Sequence, residues 1–166
     1  PDAAKRQKET GDAKKDAGDA SGAIEAYRAA LQAFPKYAEA YEAMGEVYFS
    51  SKQFEDAVKS FQYAVQLDAG YALAWYNLGF AARKANQHAT ARDAYAAYLK
   101  IKPDDADGHY GYAETLRALD DRAGALKAFE TYLTVAGNKP DQAKWLPKAR
   151  EQIAALKAEL AAAAPP

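Results

Sequence analysis

The sequence predicts an all-α fold, a solenoid in which helix-turn-helix units stack in series. The first observation is a period of 34 residues, at which an aromatic residue, a large apolar residue followed by glycine, an alanine and a second aromatic recur. In two successive blocks these residues are Tyr41, Met44, Gly45, Ala57, Phe61 and Trp75, Leu78, Gly79, Ala91, Tyr95. The second observation is that alanine, which lets helices approach closely, supplies much of the 49% hydrophobic fraction. A fixed period of this length is typical of helical repeat arrays.

The repeating pattern also places a proline near the end of a unit. This proline is Pro103 in the block that contains Trp75, and Pro35 in the block that precedes Tyr41. With this proline, the pattern resembles the tetratricopeptide repeat (TPR) family. The resemblance implies a right-handed solenoid, in which small residues let the two helices of a unit cross closely. Gly45 and Ala57 are the expected close-approach pair of one unit, and Trp75 is expected in the core of the next.

Counting in steps of 34 residues divides the chain into four units. The predicted TPR-like units are 4–37, 38–71, 72–105 and 106–139. The first helix of the first unit has polar residues, Gln7 and Lys14 among them, where later units have apolar ones. A polar outer face is typical of a capping end, and a basic docking site is the alternative interpretation. The fourth unit has His109 at the position of Trp75, where packing is expected.

A final helix is predicted after the stretch AGNKPDQ, 136–142, whose glycine and proline indicate a turn. From Ile153 onward an apolar stripe continues at helical spacing, so a C-terminal capping helix is expected over about 141–161. Proline is tolerated only in the first turn of a helix. Because of Pro147, the capping helix is expected either to begin near Leu146 or to bend there.

One departure from the TPR pattern concerns the second helices. Ala64 has Tyr98 and Tyr132 as its counterparts in the next two units, where a small residue is usual in the family. The larger side chains predict either a locally wider spacing between successive units or an exposed tyrosine surface.

The chain is predicted to be a single domain over 1–166, with a disordered or linker tail at 162–166. It begins with Pro1 and ends in AAAAPP, which indicates a segment of a longer protein. There is no cysteine, so disulfides, thiolate metal sites and cysteine nucleophiles are excluded, while the redox compartment stays open. We expect a bacterial protein, in the cytoplasm rather than the periplasm.

Charge and hydropathy exclude two classes of partner. The chain has 22 basic and 23 acidic residues, a formal net charge of −1, so no overall field favours nucleic acid. No apolar run reaches the length of a transmembrane helix, so direct insertion into a membrane is not expected.

The resemblance to TPR proteins implies that the first helix of each unit lines a concave groove, which binds an extended or helical peptide. The predicted groove residues, which remain once the core positions are removed, are Glu42, Glu46, Phe49, Tyr76, Asn77, Phe80, Arg83, Tyr110, Glu114 and Arg117. The four aromatic members predict an exposed strip, and contiguous apolar surface usually marks an interaction site. The acidic members favour a ligand carrying some lysine or arginine.

Asn77 lies where TPR proteins often have an asparagine that hydrogen-bonds the backbone of the ligand. The equivalent residues of the neighbouring units are Ala43 and Gly111, so the resemblance implies one such contact rather than a ladder. A clamp for an acidic C-terminal motif is not expected, because Asp12, Ala43 and Leu73 occupy positions that the clamp needs.

The sequence contains no constellation that would support catalysis. Neither His88 nor His109 has a second histidine or a cysteine at metal-ligand spacing. The run DDADG, 104–108, lacks the glutamate that closes a calcium loop. No phosphate-binding glycine loop or nucleophile motif is present. We therefore predict no catalytic residue, no metal and no cofactor.

These observations predict a non-enzymatic adaptor or scaffold that binds a peptide segment or a helix of a partner protein in its groove. Two alternatives stay open. The first is a structural scaffold that assembles with itself into a homo-oligomer, and the second is the targeting arm of a larger multidomain protein.

Overall fold

The computed structural model describes residues 2–163, and within this range every regular element is a helix. The α-helices are α1 (Asp2–Asp16), α2 (Ala20–Ala33), α3 (Ala38–Ser50), α4 (Phe54–Leu67), α5 (Ala72–Lys84), α6 (His88–Ile101), α7 (Ala106–Ala118), α8 (Arg122–Ala136) and α9 (Leu146–Ala163). A short 3-10 helix, Pro140–Gln142, precedes α9. The predicted all-α class is confirmed.

Contacts within the chain define two compact units, one ending at Asn86 and one beginning at Gln87. In the first unit, α1 packs against α2, α3 against α4, and α4 against α5. In the second unit, α6 packs against α7, α7 against α8, and α8 against α9. That the whole chain forms one domain stays a prediction.

The period of the sequence reappears in the turn that joins the two helices of each repeat. The residue at this turn has a positive φ in each case, with values of 79° at Gly18, 60° at Lys52, 57° at Asn86 and 59° at Asp120. A left-handed residue ends a helix by turning the chain out of its axis, and it is strained for side chains other than glycine. The turn geometry is therefore maintained at each repeat even where the residue is not glycine.

The residue after each positive-φ residue is the N-cap that precedes the second helix, and in two of the four repeats its side chain caps that helix. The Asp121 carboxylate accepts a hydrogen bond from the backbone N–H of Gly124 at 2.9 Å. Gln87, one period earlier, makes no such bond. We expect Asp121→Ala to lower the free energy of unfolding by about 1 kcal/mol. We expect Gln87→Ala to change it by less than about 0.5 kcal/mol. Urea unfolding of both variants measures the difference, and equal losses would contradict the capping role.

Glycines on the first helices make room for aromatic rings of the second helices. A Cβ atom on Gly45 would lie 2.7 Å from the ring of Phe61, and one on Gly11 would lie 2.5 Å from Tyr27. Both rings are buried. Gly45 was expected to pair with Ala57, but its close neighbour is the Phe61 ring one helical turn further along. The reason is that the ring, rather than the methyl group, fills the gap that the glycine leaves.

The expectation that Trp75 belongs to the core is wrong, because this residue is half-buried. Its indole Nε1–H donates to the carbonyl oxygen of Ala69 at 2.9 Å, which ties the start of α5 to the preceding turn. His109, one period later, makes the same contact, with Nε2 at 2.8 Å from the carbonyl oxygen of Pro103. A carbonyl oxygen only accepts, so Nε2 carries the hydrogen. The ring at this position therefore stabilises a turn.

Tyr98 and Tyr132, predicted to widen the spacing or to form an exposed surface, are both buried. Residue 108 is glycine, and a Cβ atom there would lie 2.6 Å from the Tyr98 ring. The Tyr132 hydroxyl donates to Oε1 of Gln142 at 3.0 Å. An exposed tyrosine surface at these positions is thus excluded, since the neighbouring element accommodates each ring.

The C-terminal helix begins at Leu146 and has Pro147 as its second residue, which a first turn tolerates. It extends to Ala163, two residues past the predicted end. The predicted tail at 162–166 is therefore helical at its first two residues, because the alanine run continues the helix. Residues 164–166 lie outside the described residues. Within the described range, no helix has both the length and the apolar character needed to cross a bilayer.

Candidate functional site

A cavity of about 500 Å³ opens between the first helices of the first compact unit. Its lining comes from α1, α3, α4 and α5, and consists of Lys15, Glu46, Phe49, Ser50, Phe61, Tyr76, Asn77 and Phe80. Five predicted groove residues are thus brought together, namely Glu46, Phe49, Tyr76, Asn77 and Phe80. Two others of this unit, Glu42 and Arg83, are not part of the lining.

Aromatic rings form the apolar part of this cavity. The ring centroids of Phe49 and Phe80 lie 5.2 Å apart, and Phe49 also contacts Phe54 at 5.3 Å. Phe80 is 37% exposed, and Lys84 holds its ammonium group 5.8 Å from the ring centroid. Rings in this arrangement offer a partially exposed apolar surface whose position is restrained by neighbouring rings.

An ion pair borders the aromatic rings. The Lys15 ammonium on α1 lies 2.7 Å from a carboxylate oxygen of Glu46 on α3. The hydrogen bond to Glu46 is the main reason that the pKa of Lys15 is raised. Lys15 is not among the predicted groove residues, because the polar sequence of α1 favours a capping role. The repeat period could have identified Lys15. It lies one period before Phe49, so it occupies on α1 the position that Phe49 occupies on α3.

The expectation that Glu42 is exposed in the groove is wrong, because this residue is only 6% exposed. Its Oε1 accepts from Nδ2 of Asn77 at 2.9 Å, and its Oε2 accepts from the Tyr71 hydroxyl at 3.4 Å. Residues before and on α5 therefore cover this part of α3. Asn77 donates one amide hydrogen to Glu42 within the chain, and its contact with a ligand stays a prediction.

The environment of Glu42 changes its protonation. Burial is the largest cause and the nearby charge of Glu46 the next, and together they raise the pKa of Glu42 to about 7 from 4.5. The folded chain consequently binds this proton more tightly than the unfolded chain does. The contribution of Glu42 to stability is therefore greatest below about pH 4.5, falls as the pH rises to about 7, and then stays constant.

These contacts weaken the expectation of a ligand carrying some lysine or arginine. Glu46 is already paired with Lys15, and Glu42 is buried beneath Asn77. The cavity therefore presents rings and an amide rather than an uncompensated acidic surface.

The predicted groove residues of the second compact unit make contacts with the C-terminal helix and its neighbours. The Tyr110 ring contacts Phe129, Tyr132 and Trp145 at centroid distances of 5.7, 5.2 and 5.3 Å. Arg117 donates to Glu159 of α9 at 2.9 Å. Glu114 is half-buried on α7. The prediction that Tyr110 belongs to an exposed strip is wrong, because its ring packs against the aromatic core of this unit.

Within the part of the chain that the structure describes, no group of three histidine, cysteine, aspartate or glutamate residues could hold a metal ion. In the DDADG run, the Asp105 carboxylate instead accepts from the backbone N–H of Gly108 at 2.7 Å. This bond caps α7, which explains why aspartate occurs there.

Two family models, both described as tetratricopeptide repeat, match residues 9–72 and 49–109. A crystal structure of MamA protein is 26% identical, with a TM-score of 0.81, over 95% of this chain and 85% of that one. No curated protein matches the chain significantly by sequence.

Two of the similar solved structures contain a peptide. The first TPR of Spaghetti (RPAP3) bound to the HSP90 peptide SRMEEVD is 24% identical, with a TM-score of 0.65, over 72% of this chain and 97% of that one. The Yersinia enterocolitica type III secretion chaperone SycD, in complex with a peptide of the translocator YopD, is 21% identical, with a TM-score of 0.68. That match covers 73% of this chain and 92% of SycD. These likenesses show a shared fold.

Proposed function

Because the chain belongs to the tetratricopeptide repeat family, we propose that it is a non-enzymatic adaptor that binds a segment of a partner protein. TPR domains are generally interaction modules, and the all-α fold of this chain is the one that such domains use. The proposed ligand site is the cavity of the first compact unit, lined by α1, α3, α4 and α5.

The observation that carries the proposal is the combination of partly exposed rings and one amide in that cavity. Phe49 and Phe80 supply an apolar contact surface, and Asn77 supplies hydrogen-bonding groups next to it. A peptide segment offers both an apolar side chain and a backbone amide, so it matches this lining. We propose an extended or helical segment with an aliphatic or aromatic anchor residue.

The similar structures support a peptide as the class of ligand. The cavity of this chain, however, favours a peptide different from the acidic one bound by the Spaghetti domain. The Spaghetti domain is bound to SRMEEVD, which ends in acidic residues, and SycD to a peptide of YopD. In this chain the cavity lysine, Lys15, is already paired with Glu46. An apolar anchor is therefore a better match to this cavity than an acidic terminus.

The test compares Phe80→Ala with Leu73→Ala. Both residues are exposed apolar positions on α5, but only Phe80 lines the cavity. Truncation of an interface anchor costs about 2 kcal/mol, which is roughly a thirtyfold loss of affinity. Partners captured from a lysate of the source cells by the unmodified chain would be identified by mass spectrometry, and the affinity of each variant measured. A partner that binds both variants equally well would contradict the cavity as its site.

A further inference from the structure

We propose that Glu42 is a positioning residue, which fixes the direction in which Asn77 presents its amide to the cavity. The consequence for ligands rests on the proposed function, whereas the role of Glu42 is a property of the chain alone. The pair joins two first helices, because Glu42 is on α3 and Asn77 is on α5.

The direction follows from what each group can donate. An ionised carboxylate only accepts hydrogen bonds, so the group of Asn77 that faces it must be the NH₂ group. The 2.9 Å distance joins Nδ2 of Asn77 and Oε1 of Glu42. This arrangement leaves the Oδ1 oxygen and the second N–H of Asn77 for other partners. Asn77 therefore keeps one acceptor and one donor, which is the pattern that a peptide backbone complements.

Protonation of Glu42 removes this constraint. A protonated carboxyl group carries an O–H, so it can donate to Oδ1 of a flipped amide as well as accept from the NH₂ group. Asn77 then has two satisfied orientations, and only one of them leaves Oδ1 for a ligand. The charge on Glu42 consequently decides whether the acceptor of Asn77 is held available.

Burial of the Glu42 carboxylate, together with the charged groups around it, places this change near neutral pH. Glu46 on the same helix opposes the charge of the carboxylate, whereas Lys15 of α1 favours it. The Tyr71 hydroxyl, just before α5, also contacts the carboxylate. On the other flanking helices, Arg28 of α2 is hydrogen-bonded to the Tyr48 hydroxyl at 3.1 Å, and Lys59 of α4 is paired with Asp56 at 3.5 Å. Lys15 is thus the cation that favours the charged form of Glu42, while burial and Glu46 oppose it, which agrees with the raised pKa of Glu42.

Packing alone does not explain why residue 42 is a glutamate. The equivalent residues one and two periods later are Tyr76 and Tyr110, so this position does not need a carboxylate to pack. Burial of a carboxylate costs free energy unless the charge is compensated. The amide is specific too, because the residues equivalent to Asn77 are Ala43 and Gly111. The two polar residues thus occur together at one junction of the array.

The decisive measurement is the side-chain NH₂ signal of Asn77 in ¹H–¹⁵N spectra of the full chain, recorded from about pH 5 to about pH 9. We expect this signal to shift in one step with a midpoint near pH 7, and to stop shifting in Glu42→Gln. Asn86 and Asn138 are the other two asparagines and provide internal references. Glu39→Gln, which changes an exposed carboxylate on the same helix, is the control and should keep the shift.

An Asn77 signal that does not move with pH, or that moves equally in Glu42→Gln, would overturn the positioning role. The ligand consequence has its own arm, in which peptides are selected on the unmodified chain at about pH 8 from a random phage library. We expect the selected peptides to bind about twofold more weakly at about pH 6, because a protonated Glu42 leaves only about half of the Asn77 amides with Oδ1 available. This difference should vanish in Glu42→Gln. If no peptide is selected, the proposed function fails, while the Asn77 signal still decides the role of Glu42.

Discussion

Phe61→Ala is expected to lower the free energy of unfolding by about 3 to 5 kcal/mol, the largest effect of any substitution considered for this chain. The Phe61 ring is 1% exposed and fills the space over Gly45 on the facing helix. Truncation removes apolar surface from the core, and the glycine opposite offers no side chain that could refill the gap. Chemical denaturation followed by circular dichroism measures the loss.

Tyr63→Ala is the matched control, because it removes a ring from the same helix only two positions further on. Tyr63 is 53% exposed, and its ring stacks on Tyr41 at a centroid distance of 5.1 Å. Loss of this contact should cost about 0.5 to 1.5 kcal/mol, which is less than the loss expected for Phe61→Ala. Equal losses for the two variants would contradict the assignment of Phe61 to the core.

The effect of Gly108→Ala on the free energy of unfolding is expected to depend on the residue at position 98. In the unmodified chain, the added methyl group would lie 2.6 Å from the Tyr98 ring, and the resulting overpacking should cost about 1 to 3 kcal/mol. In a Tyr98→Ala background the ring is gone. There the added methyl group would still lie 3.1 Å from Cδ2 of Leu99, a flexible side-chain end, while alanine favours a helix more than glycine does. The same substitution should therefore change the free energy of unfolding by less than about 1 kcal/mol.

A double-mutant cycle on residues 98 and 108 measures this coupling, which should reach about 1 to 3 kcal/mol. The double variant recreates the Ala64 and Ala74 pair found one period earlier, so the chain itself provides the reference geometry. Additive effects of the two substitutions would show that Tyr98 and Gly108 do not compensate each other.

The helices could be predicted because their determinants are local and repeat. The period of 34 residues places first helices at Ala38, Ala72 and Ala106, and the structure starts α3, α5 and α7 at these residues. The end of α9 was predicted less well, since a run of alanine has no apolar stripe and yet a high helix propensity.

The candidate site could be predicted only in part. Phe49, Tyr76 and Phe80 share the helix face that remains when core positions are removed, and the structure does bring them into one cavity. Lys15 was missed, because the polar sequence of α1 indicates a solvent-facing helix as well as a cavity wall. Whether a polar residue on such a face pairs within the chain depends on the neighbouring helix.

The sequence by itself determined the all-α repeat architecture and the starts of the first helices, because these depend on spacing within one period. It also identified Phe61 and Tyr95 as rings of the core. Only the tertiary structure decided that Glu42 is buried while Glu46 lines the cavity, although both lie on the same face of α3. The physical reason is that α5 and the turn before it cover one turn of α3 and leave the next one open. Burial of an inward-facing residue is therefore set by the neighbouring helix, which lies a full period away in the sequence.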